Sequence, residues 1–181
     1  MKGKNFVNIA CSLDGKIADQ DNKVDWLHEI PNPKNIDMGI PAFMEKVDAI
    51  VMGRNTYETV LGFGIEWPYK KPVFVLSSSL TEVPEELKGK IEFISGAPQE
   101  ITNYINNKGY LNLYIDGGLT IQSFLAEDMI DEMTITTMPI LLGGGPALFG
   151  DLPNARRFKL KASKVFLDEI VQSHYIRKPQ A

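Results

Sequence analysis

The chain has 181 residues, 44% hydrophobic and 23% charged, with a net charge of −4 at pH 7. That length suits one domain over residues 1–181 and a sizeable core. With a mildly acidic balance and no basic stripe, nucleic acid is not an expected partner. Any bound phosphate must then be held by helix N-termini and by individual Arg or Lys side chains.

Cys11 is the single cysteine, so no internal disulfide forms and a reducing cytoplasm is expected. No apolar run is long enough to span a membrane, and the first ten residues lack a signal-peptide core and cleavage site.

In chain order, Phe6 to Cys11 reads as a first strand. Ser12 to Asp25 is a long polar loop with a turn at Asp14-Gly15, and its length beside a sheet edge is that of a lid. Ile40, Phe43, Met44 and Val47 fall at helical spacing, with Pro41 suited to the first turn. Val47 to Met52 is a strand, and Arg54 to Leu61 a short helix closed by Gly62-Phe63-Gly64. Pro72 to Ser77 is a strand ending in Ser77-Ser78-Ser79, and Ile91 to Ile94 another. Ala97 to Asn107 is a helix with Ile101, Tyr104 and Ile105 on one face and Gly109 beyond its end. Leu111 to Ile115 is a strand and Leu119 to Ala126 a helix. Glu132 to Ile140 and Phe158 to Tyr175 are β-like, with a Leu-Leu-Gly-Gly-Gly-Pro loop between them. Lys178 to Ala181 reads as a frayed tail. Alternating strands and helices predict an α/β fold: a mixed, mostly parallel sheet with helices on both faces. The strand-rich end predicts antiparallel C-terminal strands at one edge.

Twice a strand runs into glycine and then directly into a helix, at Gly53-Arg54-Asn55-Thr56 and at Asp116-Gly117-Gly118-Leu119-Thr120. A glycine there permits close backbone approach, and the helix start offers unpaired N–H groups and the positive dipole end. Two such anion sites fit the two ends of a nucleotide cofactor. Each unit alone is equally well read as a tight turn. Neither G-x-G-x-x-G nor G-x-x-x-x-G-K-S/T occurs, which disfavours a Rossmann dinucleotide site and an NTPase phosphate loop.

Other motifs have plainer readings beside the chemical ones. Ser77 and Ser78 fit a phosphate contact or a turn. Gly143-Gly144-Gly145 before Pro146 reads as turn chemistry. Asp37, ahead of the helix before Gly53, fits a proton donor in a cleft or a solvated first-turn acid. His28 and His174 match no ligand spacing, so no metal site is expected. Cys11 reads as a small buried hydrophobe.

Several segments occur in the order and approximate spacing of one family. They are Ser12-Leu-Asp-Gly-Lys-Ile-Ala18, Asp48-Ala-Ile-Val-Met-Gly-Arg-Asn-Thr56, Val75-Leu-Ser-Ser78, Ile115-Asp-Gly-Gly118, Asp131-Glu-Met-Thr-Ile-Thr136 and Pro139-Ile-Leu-Leu-Gly-Gly144. On these the chain resembles the dihydrofolate reductase superfamily, and more closely its branch containing the reductase domain of riboflavin biosynthesis.

The resemblance implies a dihydrofolate reductase-like fold and an NADPH-dependent reductase acting on a small pyrimidine- or pterin-like molecule. A 5-amino-6-(5-phosphoribosylamino)uracil-like substrate fits the riboflavin branch. Gly53, Arg54, Asn55 and Thr56 would face Asp116, Gly117, Gly118, Leu119 and Thr120 across the pyrophosphate. Arg54, Ser77 and Ser78 would lie near the adenosine 2′-phosphate. Cys11, Ile17 and Ala18 would meet the nicotinamide through their backbone, under a lid from Ser12 to Trp26. Asp37 and Thr136 would stand on the substrate side, with Lys34, Arg156 and Arg157 as candidates to clamp a substrate phosphate.

The resemblance also implies a homodimer through the C-terminal strands. The zinc deaminase domain that often accompanies this reductase has no counterpart, since H-x-E with P-C-x-x-C is missing. Asp25-Trp26 stands where folate reductases usually carry Pro-Trp. A dihydrofolate reductase, or a nucleotide-binding protein without turnover, are the other two readings.

Overall fold

The computed structural model describes residues 3–179. The expected frayed tail therefore lies, for its last two residues, outside the described residues. Eight strands form one sheet: β1 Lys4–Ser12, β2 Ala49–Gly53, β3 Val73–Leu76, β4 Ile91–Ile94, β5 Asn112–Asp116, β6 Glu132–Met138, β7 Phe158–Phe166 and β8 Ile170–Arg177. The helices are α1 Ile40–Lys46, α2 Arg54–Gly62, α3 Pro98–Asn107 and α4 Gly118–Ala126. Strand order is β4-β3-β2-β5-β1-β6-β8-β7. The first six strands along that order pair in parallel, and β8 and β7 pair antiparallel at the edge. This is the expected dihydrofolate reductase-like α/β sheet, mostly parallel, with antiparallel C-terminal strands. The β-like stretch expected from Phe158 to Tyr175 resolves into two strands joined by a turn.

Alternation along the central strands explains why helices cover both faces. Val7, Ala49, Val51, Leu113 and Ile115 pack with Ile101 and Ile105 of α3 and with Ile121, Phe124 and Leu125 of α4. Their neighbours Ile50, Met52, Val73 and Val75 point the other way and pack with Tyr57 of α2, joined by Met44 of α1. Strands buried on both sides read as continuous apolar runs, as Ala49–Met52 does. Two short 3-10 turns, Asp25–His28 and Glu85–Leu87, carry no periodic signal, yet each buries one apolar side chain, Trp26 and Leu87.

Two topological facts position the site. The chain leaves β1 for β2, three places away in the sheet, and returns later to fill the place between them with β5. Such a reversal opens a crevice at the strand carboxyl ends. The β1–β5 ladder also stops at Phe6↔Tyr114, whereas β1 continues beside β6 as far as Ser12. From Val7 onward β1 therefore parts from β5, and the sheet splits toward the carboxyl ends. The Tyr114 hydroxyl donates to the Asn8 carbonyl at 2.8 Å, which satisfies one backbone acceptor freed by the split. Among the described residues no helix is long and apolar enough to cross a membrane.

Candidate functional site

A cleft of about 1220 Å³ opens where the sheet splits. Both strand-glycine-helix units line it: Gly53, Arg54, Asn55 and Thr56 on one side, Asp116, Gly117, Gly118, Leu119 and Thr120 on the other. The two units interlock. A side chain at Gly117, whose φ is +89°, would collide with the Thr56 hydroxyl, and one at Gly53 would sit 2.9 Å from the Thr120 hydroxyl. Each unit thus places its threonine against the other unit's glycine. Glycine at both positions keeps the helix N-termini of α2 and α4 adjacent and their N–H groups uncovered. Two convergent helix N-termini suit an anionic diphosphate.

Arg54 stands at the start of α2. Its Nε donates to Glu58 Oε1 at 2.6 Å and its Nη1 to Ser79 Oγ at 2.9 Å. Ser79 was not among the expected contact residues, which stopped at Ser77 and Ser78. The Ser77 hydroxyl instead accepts the N–H groups of Ser79 and Leu80 at 3.2 and 3.0 Å, closing a turn. Ser78 is exposed, and neither Ser77 nor Ser78 lines the cleft. The turn brings the third serine to the arginine, a placement that the triplet's spacing does not reveal.

The loop after β1 supplies Ile17, Ala18, Asn22, Val24 and Leu27 to the cleft. It is tied down in three places. Asp14 accepts the Ser12 hydroxyl at 2.5 Å and the Leu142 and Gly143 N–H groups at 3.1 and 2.8 Å. These bonds, led by the Ser12 hydroxyl, hold its carboxyl at about 2. Lys16 pairs with Ala147, and the Ile17 N–H donates to the Pro146 carbonyl at 3.0 Å. Trp26 is buried against Met138 and Ile170. The glycine loop that read as turn chemistry is also a contact surface, since a side chain on Gly145 would strike the Ala18 and Asp19 carbonyls.

Cys11 is buried with its side chain in the α3/α4 core, and burial pushes its thiol pKa up. Asp37 and Thr136 lie apart from the glycine units. Asp37 is exposed on the loop before α1, where its carboxylate accepts the Gly39 N–H at 2.7 Å. Thr136 is buried on β6. Gln172 joins the two regions by donating to the Thr136 hydroxyl and to the Met38 carbonyl, both at 3.1 Å. Arg156 is committed elsewhere: it donates to the Leu125 and Ala126 carbonyls at 3.0 and 2.5 Å, which finishes the C-terminus of α4. Lys34 and Arg157 are exposed and do not line the cleft.

Asp116 is the acid within the cleft. It ends β5, accepts the Gly117 N–H at 2.9 Å and faces Tyr69. Burial raises its pKa to about 6, against the opposing pull of the Gly117 N–H and the Tyr114 hydroxyl. Burial and the nearby Asp116 charge together push Tyr69 up. Tyr69 and Phe63, also in the lining, come from a stretch without regular structure. Their signal in sequence was the aromatic density of Phe63, Trp67 and Tyr69, which pack on Tyr57 and each other. Among the described residues no group of three His, Cys, Asp or Glu could hold a metal ion.

With this geometry the comparisons are decisive, because the RibD C-terminal domain family model matches residues 4–172. The chain belongs to the RibD C-terminal domain family. This is the family of the reductase domain of riboflavin biosynthesis, an oxidoreductase family. A solved protein of Shewanella sp. PV-4, assigned provisionally to riboflavin biosynthesis, is 54% identical, with a TM-score of 0.94 over 97% of this chain and 99% of its own. Bacillus subtilis YwjB is 36% identical over 179 residues, spanning 98% of this chain and 99% of YwjB. The dihydrofolate reductase of Enterococcus faecalis, solved with NADP(H), shares the fold at a TM-score of 0.68 and 18% identity, covering 99% of both chains.

Two outcomes check the site. Gly117→Ala is destabilising twice over, through its left-handed backbone, about 1–2 kcal/mol, and through the collision with Thr56. In a Thr56→Ala background only the backbone part remains, so denaturation of the four variants gives a non-additive cycle; additive losses would refute the interlock. For Asp116, a folded pKa above the ordinary 3.8 means that the folded state holds the proton longer. Its stabilising contribution is therefore full below about pH 4 and is lost as pH rises through about 6. Asp116→Asn is expected to gain about 2 kcal/mol over wild type at pH 7 and little at pH 4. Urea denaturation at the two pH values checks this, and equal shifts would place the carboxylate in solvent.

Proposed function

We propose that the protein is an NADPH-dependent reductase, and the observation that supports this most is the interlocked pair of helix N-termini opening on one cleft. Gly53, Asn55, Thr56, Gly117, Gly118, Leu119 and Thr120 would hold the cofactor's diphosphate. Arg54, with Ser79 beside it and Ser77 and Ser78 in the same turn, would take the 2′-phosphate. The split edge of β1 near Cys11, with Ile17 and Ala18 of the loop, would receive the nicotinamide. The cofactor supplies hydride; the protein must orient the acceptor, exclude water and provide a proton.

Of the two acids, Asp116 lines the cleft, and its pKa of about 6 lets it carry a proton near neutral pH. We assign the proton to it. Asp37 and Thr136 are assigned to the β6 side of the same sheet face, held by Gln172. The acceptor is a small molecule with a reducible C=N or C=O group, of the kind reduced when a ribosyl group becomes ribityl. The single buried cysteine suits the cytoplasm. The edge strands β7 and β8 expose Leu160, Val165 and Val171, and we assign them to a homodimer contact.

NADPH fluorescence titration tests the cofactor assignment. Arg54→Ala is expected to weaken NADPH by about tenfold or more while leaving NADH nearly unchanged, the worth of a charge-assisted contact. Glu58→Gln, which frees the Arg54 fork, is expected to tighten NADPH by a few-fold. Equal effects on both cofactors would remove Arg54 from the 2′-phosphate. Cofactor consumption at 340 nm tests turnover with dihydrofolate and with the ribosylaminopyrimidine. Asp116→Asn should cut the hydride-transfer rate by about 10²–10⁴-fold, whereas a rate lost only in Asp37→Asn would move the proton to Asp37. A light-scattering mass of one chain would refute the dimer.

A further inference from the structure

The cleft has room for more than a cofactor. Its roughly 1220 Å³ exceeds the about 300–1,000 Å³ of a typical single small-molecule site. The glycine units, Arg54 and Leu76 occupy one end. The remaining wall comes from Val24 and Leu27 of the β1 loop, Thr59 and Val60 of α2, Phe63 just after it, and Tyr69.

The charges in this lining are few and of the wrong sign for an anion. Arg54 is its one cation, beside two carboxylates, Glu58 and Asp116. Arg54 is already shared between Glu58 and Ser79, at the end assigned to the cofactor. The cations expected to clamp a substrate phosphate are elsewhere: Arg156 finishes α4, and Lys34 and Arg157 lie outside the lining. A phosphate moved against Val24, Leu27, Val60 and Phe63 would lose its water without gaining a counter-charge, and would meet Glu58 and Asp116. An uncharged body with an apolar face gains by the same burial. The second oxygen of Asp116, whose first accepts the Gly117 N–H, offers such a molecule an acceptor.

We propose that the substrate half of this cleft takes a neutral, unphosphorylated molecule with an apolar or aromatic face and a hydrogen-bond donor for Asp116. This rests on the reductase reading above and narrows its substrate class. A phosphorylated ribosylaminopyrimidine is then a poor ligand, despite the family to which the chain belongs.

Matched pairs that differ by one phosphate test the proposal. The probes are 5-amino-6-ribosylaminouracil and its 5′-phosphate, riboflavin and FMN, and uridine and UMP. Each is titrated by calorimetry onto the full-length protein saturated with NADP⁺, which keeps nucleotides out of the cofactor end. At least one unphosphorylated member is expected to bind, about tenfold or more tighter than its phosphate. Phe63→Arg, a change at a half-exposed position, should raise the affinity of the phosphorylated member several-fold.

Tighter binding of a phosphorylated member overturns the proposal, most plainly if Lys23→Ala, Lys70→Ala or Lys71→Ala removes it, because these lysines flank lining residues. Equal affinity within every binding pair, or no binding in any pair, also overturns it. NADPH fluorescence is followed separately. Failure to bind NADPH sinks the reductase reading, whereas NADPH binding with a preference for phosphate sinks only the substrate class.

Discussion

The contact on which the rest of the site depends is the exchange between two threonines and two glycines. Thr56 of α2 lies against Gly117, and Thr120 of α4 lies against Gly53. Neither glycine can gain a side chain without pushing the other unit away. The pairing sets the separation of two helix N-termini whose N–H groups have no partners within their own helices. It also holds together two faces of the sheet, because α2 packs with Ile50 and Met52 whereas α4 packs with Ile115 and Val51. A cleft between α2 and α4 is thus a joint property of both layers.

The split between β1 and β5 gives that cleft its depth. Where the ladder ends, backbone acceptors on β1 face open space, and Tyr114 reaches back to satisfy one of them. The loop from Ser12 to Trp26 closes the side of the opening. Its ties through Asp14, Lys16 and Trp26 run to the 138–148 segment and the β8 edge. Those ties couple the cleft wall to the C-terminal hairpin, so a change at the edge strands can reach the cleft through Trp26 and Asp14 without touching a glycine unit.

Electrostatics divides the cleft into two halves. The α2 and α4 N-termini and Arg54 favour negative charge at one end. Glu58, Asp116 and a wall of aliphatic and aromatic side chains disfavour it at the other. Asp116 belongs to both halves: its backbone leads into Gly117, and its carboxyl, held near neutrality by burial, faces the second half. A buried acid tuned in this way costs stability and is kept where chemistry needs it.

Much of this was legible in the residues themselves. The apolar alternation of Ala49–Met52 and Leu111–Ile115, the glycines that follow, and the amphipathic spacing of Ile101 and Ile105 are local signals. They sufficed for the layer order, the parallel sheet and the two phosphate-type turns. The ordered motifs then carried the family. What they could not carry is which side chains end up as neighbours. Arg54 meets Ser79 because a turn built on Ser77 folds the third serine back. Arg156 is spent on the carbonyls of α4, thirty residues earlier in the chain. Asp37 lies off the cleft because Met38 and Gly39 take left-handed backbone before α1 begins, and Tyr69 enters it from a stretch with no period at all. Periodicity and turn chemistry act over a few residues, so sequence by itself determined the elements and their order. The partners of each charge depend on contacts between segments far apart in the chain, and only the tertiary structure decided those.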